Sequence, residues 1–511
     1  MVDWVGYEWL AEHYGVRPVQ PFAIHSSIAK SRKTLQSPDG RTEEDYTEAL
    51  RPANTLAGHL TFALKREGIH LEFLARLFDA VPSEEMIGWI EEEPTGQYAR
   101  RACFFYEYLT GKRLDVAGVT MGNYVNALDA ADYLTASRPI NHPRWRVRDN
   151  LPGTRDYCPL VRRTEAVRQA EKYDCARELA NLDARFGTDI LQRSVVWLTT
   201  KESRASFAIE NESQHVAQIQ RCAAAMERRC GRVADPLSND DLTALQAEIL
   251  GPRALRYGIR RSPVFVGRST PGAVGVDYIA PHWDDISALL AGLESFEELT
   301  RSHSSVLRAA VLSFGFVYIH PMADGNGRIS RFLINDTLRR DGAIPEPFVL
   351  PVSATIAESR EHRRDYDRIL ERHSRPLMSA YAGSWRFGDD KLGADGVRYN
   401  LEFDAYSDAR PAWRYPDLTA HVEYLADVIA HTINIEMPKE ARYLQEFYAQ
   451  RVRVKSVVEG PDPEIDRIIR SIEGHDGQIS NKLAGDFPAL RDPAMAEAII
   501  AAVMWTADLV E

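Results

Sequence analysis

The sequence lacks the features that define several large classes of protein. Only five cysteines occur in 511 residues, and none belongs to a C-x-x-C pair, so neither a disulfide framework nor a zinc knuckle is expected. No apolar run reaches the roughly 18 residues that cross a bilayer, and the N-terminus has no basic and apolar signal segment. These absences predict a cytoplasmic protein that does not contact a membrane.

Several familiar catalytic motifs are also missing. The chain has no G-x-x-x-x-G-K-S/T phosphate loop, no H-E-x-x-H zinc motif, no G-x-G-x-x-G turn and no G-x-S-x-G elbow. The formal net charge of −12 makes nucleic acid an unexpected partner, since domains that bind it usually carry a basic face. The composition, 44% hydrophobic and 27% charged, is that of a soluble chain long enough for several domains.

Hydrophobic periodicity predicts a mainly α protein with one β-hairpin. Helix-period patterns run through residues 1–135, an N-terminal helical domain, and the basic, proline-rich segment 136–163 is typical of a linker or an extended surface arm. The core is expected at 164–381 and a helical C-terminal domain at 382–511. Within the core, the stretch from Ser262 to Ile279 has the composition of a hairpin with a long tip.

The segment from His320 to Arg331, H-P-M-A-D-G-N-G-R-I-S-R, carries the residues that indicate chemistry. It follows a strongly apolar helix, and a second helix is expected to start near Arg328. Gly325 and Gly327 allow a tight turn and a close approach of a ligand to the backbone. The amides in the first turn of the second helix, together with the helix dipole, form an anion site.

Charged and titratable side chains surround that turn. Arg328 and Arg331 lie on one side of the helix, and their guanidinium groups suit phosphate oxygens. Asp324 offers a hard oxygen ligand for Mg²⁺, and His320 can accept a proton from a hydroxyl. The set predicts attack of a hydroxyl on a nucleotide phosphate, with a rate that falls as the pH drops below about 6.5.

These residues resemble the signature of the Fic (filamentation induced by cyclic AMP) family, His-Pro-Phe-x-Asp/Glu-Gly-Asn-Gly-Arg-x-x-Arg, with Met322 in place of Phe. The resemblance implies a Fic-type helical core with a β-hairpin flap, and transfer of AMP from Mg·ATP to Ser, Thr or Tyr hydroxyls of a target protein. It also implies a role for each position: His320 as general base, Asp324 as Mg²⁺ ligand, Gly325, Asn326 and Gly327 as the anion cradle, and Arg328 and Arg331 as ligands of the distal phosphates.

A second segment, Ser206-Phe207-Ala208-Ile209-Glu210-Asn211, resembles the inhibitory helix of class II members of that family. Ser206 and Glu210 share a helix face because they are four residues apart. The resemblance implies that Glu210 reaches Arg331 and takes the place of the γ-phosphate. A contact favoured by about 3 kcal/mol would repress the enzyme about a hundredfold.

In the family, the flap pins the target peptide by adding a strand to it. Val264, Phe265 and Val266 are the candidates for that contact here, because an exposed strand edge offers main-chain hydrogen bonds to an extended peptide. A hairpin that only covers the edge of the core is an equal alternative.

Other functions remain open from the sequence. The same loop could transfer phosphate or phosphocholine, or Glu210 could position water that removes AMP from a modified target. A different class is a regulatory binding protein that acts through its helical terminal domains, for which Ile479 to Leu483 could belong to a helix-turn-helix. A homodimer is a further expectation, and the target protein is not encoded in any motif.

Overall fold

The computed structural model describes residues 2–37, 41–212, 214–253, 256–270 and 273–505. The protein is mainly α, as predicted. The helices are α1 Tyr7–Tyr14, α2 Leu56–Arg66, α3 Leu71–Ala80, α4 Ser83–Glu92, α5 Gln97–Thr110, α6 Glu165–Lys172, α7 Cys175–Phe186, α8 Thr188–Ile209, α9 Val216–Arg229, α10 Asn239–Leu250, α11 Ile286–Leu299, α12 Ser305–Ile319, α13 Asn326–Arg340, α14 Val352–Ala357, α15 Arg360–Ala380, α16 Tyr406–Arg414, α17 Thr419–His431, α18 Met437–Lys455, α19 Asp462–Glu473, α20 Asn481–Asp486 and α21 Pro493–Met504, with a π-helical stretch at Thr432–Glu436.

The strands form small sheets. They are β1 Trp4–Val5, β2 Ile24–Ile28, β3 Lys33–Gln36, β4 Thr42–Tyr46, β5 Val125–Asn126, β6 Ile140–His142, β7 Val147–Asp149, β8 Phe265–Thr270, β9 Ala273–Ile279, β10 Trp385–Leu392 and β11 Arg398–Phe403. The sheet orders are β1-β2-β4-β3, β5-β7-β6, β8-β9 and β10-β11. No described helix combines the length and the apolar character that a membrane span requires.

The chain forms two compact units. One contains Met1–Asp174 and Thr199–Ala430, and the other contains Cys175–Leu198 and His431–Glu511. The second unit has its own apolar core, built mainly from the isoleucines of α19 and from α18 and α21. The boundaries predicted at residues 135, 163 and 381 stay predictions, and so does the helix-turn-helix interpretation of residues 479–483.

The sequence analysis predicts one hairpin, whereas the structure has three further small sheets. In the first unit, β2 pairs with β4 in parallel and β4 with β3 antiparallel. These strands escape a periodicity search because they are short and polar: β4 reads T-E-E-D-Y, and every residue of β3 is exposed. Strand β10 is likewise exposed along nearly its whole length, so no alternation of apolar residues marks it.

Residues 136–163 are not a surface arm. Trp145 is completely buried in the apolar core of the N-terminal part, together with Cys158. Its indole Nε1 donates to Glu107 at 2.8 Å, and Arg144 donates to Glu107 and to the carbonyl oxygen of Leu114. Around Trp145 and Cys158 the segment does not lie on the surface as an arm, because Arg144 donates to carbonyl and carboxylate oxygens and the large apolar residues pack inward. The role of residues 136–163 as a linker between domains stays a prediction.

Helices α12 and α13 form the scaffold of the candidate site. Nearly every side chain of both helices is buried, which explains the long apolar run before residue 320. The predicted hairpin is confirmed: β8 pairs antiparallel with β9, with Phe265 opposite Ile279 and Val266 opposite Tyr278. Gly267 is required at the bulge that follows Val266, because a Cβ there would lie 2.0 Å from the carbonyl oxygen of Gly275.

Candidate active site

The loop between α12 and α13 turns through two left-handed residues. His320 ends α12 with a φ of 51°, and its N–H donates to the carbonyl of Phe316 at 3.0 Å. Gly325 precedes α13 with a φ of 89°. A positive φ is uncommon for any residue other than glycine, so the turn at His320 must be held by its surroundings.

The contacts of His320 define its protonation state. Its Nδ1 lies 3.0 Å from the carbonyl oxygen of Val317; because a carbonyl can only accept, Nδ1 carries the hydrogen and the neutral ring keeps an acceptor lone pair on Nε2. Burial lowers the pKa of His320 to about 4. Burial favours the neutral imidazole, so the loss of rate that the sequence places below about pH 6.5 is expected at a lower pH.

Asn326 closes the loop with its side chain. Its Oδ1 accepts from the N–H of Met322 at 2.9 Å, and its Nδ2 donates to the carbonyl of Met322 at 2.8 Å. Met322, which replaces the phenylalanine of the signature, is completely buried. The Asn326 side chain thus holds the loop together, and its backbone N–H at the start of α13 is the group offered to an anion cradle.

A carboxylate lies over the N-terminus of α13. A Cβ placed on Gly327 would come within 2.2 Å of Glu210 Oε1, so only glycine leaves room for this carboxylate. Arg331 donates from Nη2 to Glu210 Oε1 at 2.9 Å and from Nε to the Ser206 hydroxyl at 2.8 Å. The contact that the inhibitory motif implies is present, on the helix face that Ser206 and Glu210 share.

The end of α8 is held in this position by a buried carboxyl group. Glu202, one turn before Ser206, accepts from the N–H of Ser353 at 2.6 Å and from its hydroxyl. Burial raises the pKa of Glu202 to about 7, although the hydrogen bonds from Ser353 lower it. This contact attaches α8 to the start of α14, so the approach of Glu210 to Arg331 has a fixed support.

Arg328 has two carboxylate partners of its own. It donates to Glu212 at 2.6 Å and to Asp324 Oδ1 at 2.8 Å, and its guanidinium lies 4.9 Å from the centre of the Phe207 ring. The sequence analysis missed Glu212, which belongs to no motif that was recognised. Its position two residues after Glu210 is the only sequence signal that could have suggested it.

The electrostatics favour charged partners despite burial. Burial raises the pKa of Glu210, but Arg331 more than compensates, so the pKa lies below its ordinary value. Burial lowers the pKa of Arg331, and Glu210 raises it above its ordinary range. Arg331 and Arg328 are buried, whereas the carboxylates of Glu210 and Glu212 are 37% and 35% exposed. The guanidinium ends of both pairs are therefore shielded from water, which strengthens their charged hydrogen bonds and suits them to bind phosphate once the carboxylates leave.

Asp324 has the properties of a metal ligand. Its side chain is 61% exposed, and Oδ1 is shared between the N–H of Gly325 at 2.6 Å and Arg328. The carboxylate lies at the surface beside the anion position, where the oxygen ligands that Mg²⁺ prefers would come from the carboxylate, phosphate and water. The residues present fit that ion.

A cavity of about 820 Å³ lies beside His320 and the N-terminus of α13. His320, Glu210 and Gly327 line it on one side, and it is closed by residues of β8, β9 and α15, among them Val266, Asp277, Tyr366 and Leu370. This volume is within the range of pockets that bind small molecules, which is about 300–1,000 Å³. A nucleotide in it would reach both the imidazole and the amides of α13.

The three candidate flap residues have different surroundings. Val266 is 43% exposed and lines the cavity. Phe265 packs its ring against Phe387 of β10 with the centroids 5.4 Å apart, and the carbonyl of Val264 accepts from the N–H of Ala280 at 3.1 Å. Val266 is thus the one of the three that the structure brings to the cavity.

The comparisons with known proteins agree with this geometry. Residues 236–338 match the model of the Fic/DOC family. Protein adenylyltransferase fic-1 of Caenorhabditis elegans is 31% identical over 168 residues, which are 31% of this chain and 31% of that protein. Protein adenylyltransferase Fic of Drosophila melanogaster is 38% identical over 111 residues, or 20% of each chain. The chain therefore contains a domain of the Fic/DOC family.

The similarity outside that domain is limited. The matches span less than a third of the length of these two relatives. A Fic family protein from Desulfovibrio desulfuricans G20 aligns with 65% of this chain and 90% of its own at 21% identity, with a TM-score of 0.34.

Proposed function

We propose that this protein transfers AMP from Mg·ATP to a Ser, Thr or Tyr hydroxyl of a target protein, and that Glu210 inhibits the transfer. The observation that carries the proposal is the carboxylate of Glu210 at the N-terminus of α13, between Gly327 and the Arg331 guanidinium. A carboxylate held by helix amides and by a guanidinium occupies a place that also suits a phosphate group. The relatives named above support the choice of AMP as the transferred group.

The reaction assigns one role to each group. The target hydroxyl oxygen attacks the α-phosphorus of ATP, a bond forms between them, and the bond to the bridging oxygen of the β-phosphate breaks, so pyrophosphate leaves. The proton of the hydroxyl passes to Nε2 of His320, whose Nδ1–H remains on the carbonyl of Val317. The backbone amides at Asn326 and Gly327 stabilise the charge on the α-phosphate oxygens.

The distal phosphates require the two arginines. Arg331 and Arg328 would hold them, and Asp324 would hold Mg²⁺, which when bound neutralises phosphate charge. Each guanidinium now has a carboxylate partner, so ATP must displace Glu210 to use Arg331. With Glu210 in place, the nucleotide can bind only with its α-phosphate turned away from the line of attack.

Incorporation of label from α-labelled ATP into proteins of a cell lysate tests the proposal. Glu210→Gly is expected to raise the initial rate about a hundredfold, because the carboxylate that occupies the phosphate position is removed and ATP no longer has to displace it. His320→Ala in the Glu210→Gly protein should lower it by about 10²–10⁴-fold, the usual contribution of a general base. Equal rates for wild type and Glu210→Gly, both folded, would remove the inhibitory role.

Mass spectrometry of a modified protein separates the alternative transfers. An adduct of phosphate or phosphocholine in place of AMP would replace the proposed reaction with one of those transfers. Release of AMP from a pre-adenylylated protein, dependent on Glu210, would assign hydrolysis instead. If neither transfer nor release occurs, a regulatory binding role through the terminal regions becomes the better account, and a homodimer would be part of it.

A further inference from the structure

Arg260 is a completely buried arginine whose hydrogen-bond partners are carbonyl oxygens. It is 1% exposed. Its Nε donates to the carbonyl of His320 at 2.8 Å, Nη1 to that of Ser262 at 2.9 Å, and Nη2 to that of Pro281 at 2.7 Å. Its backbone N–H donates to the carbonyl of Pro321 at 2.9 Å. Arg260 thus connects Ser262 before β8, Pro281 after β9 and the loop that carries the imidazole of His320.

A buried guanidinium that bonds to carbonyls costs more free energy of folding than an apolar side chain in the same place would. Burial lowers the pKa of Arg260 to about 10, which shows that the protein solvates the charge less well than water does. The donors of this guanidinium end on carbonyls, and among the described residues no carboxylate forms an ion pair with it; the charge of Asp395 raises its pKa only from a longer distance. An apolar side chain of similar volume would often be no less stable, so a role beyond packing explains the choice.

The contact at His320 determines where its ring points. The residue has a φ of 51°, which the chain adopts at a cost and keeps only where neighbours hold it. The Arg260 Nε fixes the carbonyl on one side of the Cα atom, and the bond from Nδ1 to Val317 fixes the ring on the other. The position of Nε2 therefore depends on both contacts.

The other two contacts lie at the base of the flap. Ser262 precedes β8 and Pro281 follows β9, so the guanidinium holds the two ends of the hairpin together from the inside. From the outside, Asp395 accepts from the N–H of Arg261 at 2.7 Å and from the hydroxyl of Ser262 at 2.8 Å. The two ends of the hairpin are thus held together on both sides. A displacement of its strands would be transmitted to the carbonyl of His320 through Arg260.

We propose that Arg260 is a positioning residue that couples the flap to His320, so that a target strand docked on β8 helps to align the general base. The inference rests on the proposed transfer of AMP and adds a residue that the signature motif does not contain. Arg260 contacts the backbone of the base and of the flap, and its role is exerted through them. Loss of its donors should therefore lower the rate of transfer more than the affinity for ATP.

The test compares three variants in the Glu210→Gly protein. Arg260→Met removes all the donors and keeps much of the volume, and Arg260→Lys keeps the charge with fewer donors. Arg261→Met is the matched control, because its exposed neighbouring side chain is absent from these contacts and its backbone N–H to Asp395 is retained. Label incorporation at saturating α-labelled ATP gives the rate, its dependence on ATP gives the apparent KM, and thermal unfolding checks the fold.

Arg260→Met should lower the rate about 10–100-fold, as misplacement of a reacting group by about 1 Å does, with the apparent KM for ATP within about twofold. Arg260→Lys should fall between, and Arg261→Met should match the parent. A folded Arg260→Met protein with the parent's rate would overturn the proposal. If the Met variant fails to fold, Arg260→Lys decides: an unchanged rate there overturns it.

A histidine NMR titration gives a second readout that does not need activity. Burial is the largest cause that lowers the pKa of His320 and Arg260 lowers it further, while the hydrogen bond to Val317 and the charges of Glu210 and Asp324 raise it. With the signal assigned by comparison with His320→Ala, the pKa of His320 should rise in Arg260→Met, because a positive charge is removed and a displaced ring is less buried, and it should not change in Arg261→Met. If even the parent incorporates no label, the proposed function fails, and the titration alone then decides whether Arg260 controls the ring.

Discussion

The two sides of the cavity use different chemistry. On the phosphate side, residues 206–212 and 320–331, the functional groups are charged side chains in named pairs, in which the arginines are buried and the carboxylates partly exposed: Glu210 on Arg331 and Glu212 on Arg328. On the flap side, residues 262–270 and 273–281, the groups offered to a target strand belong to the backbone of the β8–β9 hairpin. A site made from side chains needs particular residue types, whereas a site made from main-chain groups tolerates many. The phosphate side should therefore respond far more strongly to substitution.

The largest effect is expected at Gly327. Gly327→Ala places a methyl group 2.2 Å from the position of Glu210 Oε1, so it excludes any anion from that place. In the Glu210→Gly protein, we expect it to abolish the gain in label incorporation, a loss of about a hundredfold or more. The measurement is the initial rate with α-labelled ATP, together with ATP binding by calorimetry.

The control for this substitution is Gly383→Ala. A Cβ at Gly383 meets nothing within 4 Å, so that variant should keep the parent's rate. If Gly327→Ala with Glu210→Gly stays fully active, the carboxylate of Glu210 does not mark a phosphate position, and the analogy between the two anions fails.

The same contrast explains what could be predicted from the sequence. His320, Asp324, Gly327 and Arg331 could be placed in one loop because each residue type is tied to one chemical task. The side-chain role of Asn326 was harder to predict, since an amide can serve a ligand or the loop itself, and here it binds Met322. Local spacing identifies a turn but not which way a neutral side chain faces.

Contacts between segments far apart in the sequence could not be predicted. Arg260 meets His320 across 60 residues and Glu212 meets Arg328 across 116, and neither residue belongs to a recognised motif. The short strands of the N-terminal part and the β10–β11 hairpin were missed because their exposed faces carry no apolar alternation. Burial of residues 136–163 depends on partners such as Glu107 that only the folded chain brings near.

A pH profile tests the charge environment of the phosphate side. His320 acts as a base when neutral, and burial lowers its pKa to about 4. Since the neutral form persists above that value, the rate should stay level from pH 8 to about 5 and fall about tenfold for each unit below 4. A fall in the rate centred near pH 6.5 would mean that water reaches the imidazole of His320 in the working enzyme.

Acid unfolding must be separated from loss of the base. Burial also lowers the pKa of His373 to about 4, so the unfolded chain takes up protons at these histidines that the folded chain does not. Stability is then lost as the pH falls from about 6.5 towards 4. Circular dichroism at each pH shows whether the protein is still folded where the rate declines.

A smaller effect on the same side is expected from Glu212. Its side chain is 35% exposed, so solvent weakens its ion pair with Arg328 and about 0.5–1 kcal/mol is a reasonable value. In the Glu210→Gly protein, Glu212→Gln should therefore raise ATP affinity about two- to fivefold, measured as a lower apparent KM. Glu227→Gln, at an exposed residue of α9, is the control. An unchanged KM would show that Arg328 is available to phosphate without displacement of Glu212.

An effect of similar size is expected on the flap side. Val264→Pro removes a backbone N–H next to β8 while the carbonyl that accepts from Ala280 is retained. Proline there disturbs the start of β8 and hence the edge offered to a target, so the apparent KM for a modified target should rise about fivefold, as loss of one main-chain hydrogen bond of about 1 kcal/mol would cause, and ATP binding should not change. Val264→Ala keeps the N–H and shortens the side chain, and it should leave both quantities at their parent values. If Val264→Pro lowers target modification and ATP binding equally, the hairpin only covers the edge of the core. The contrast between the two sides of the cavity would then depend on the charged side alone.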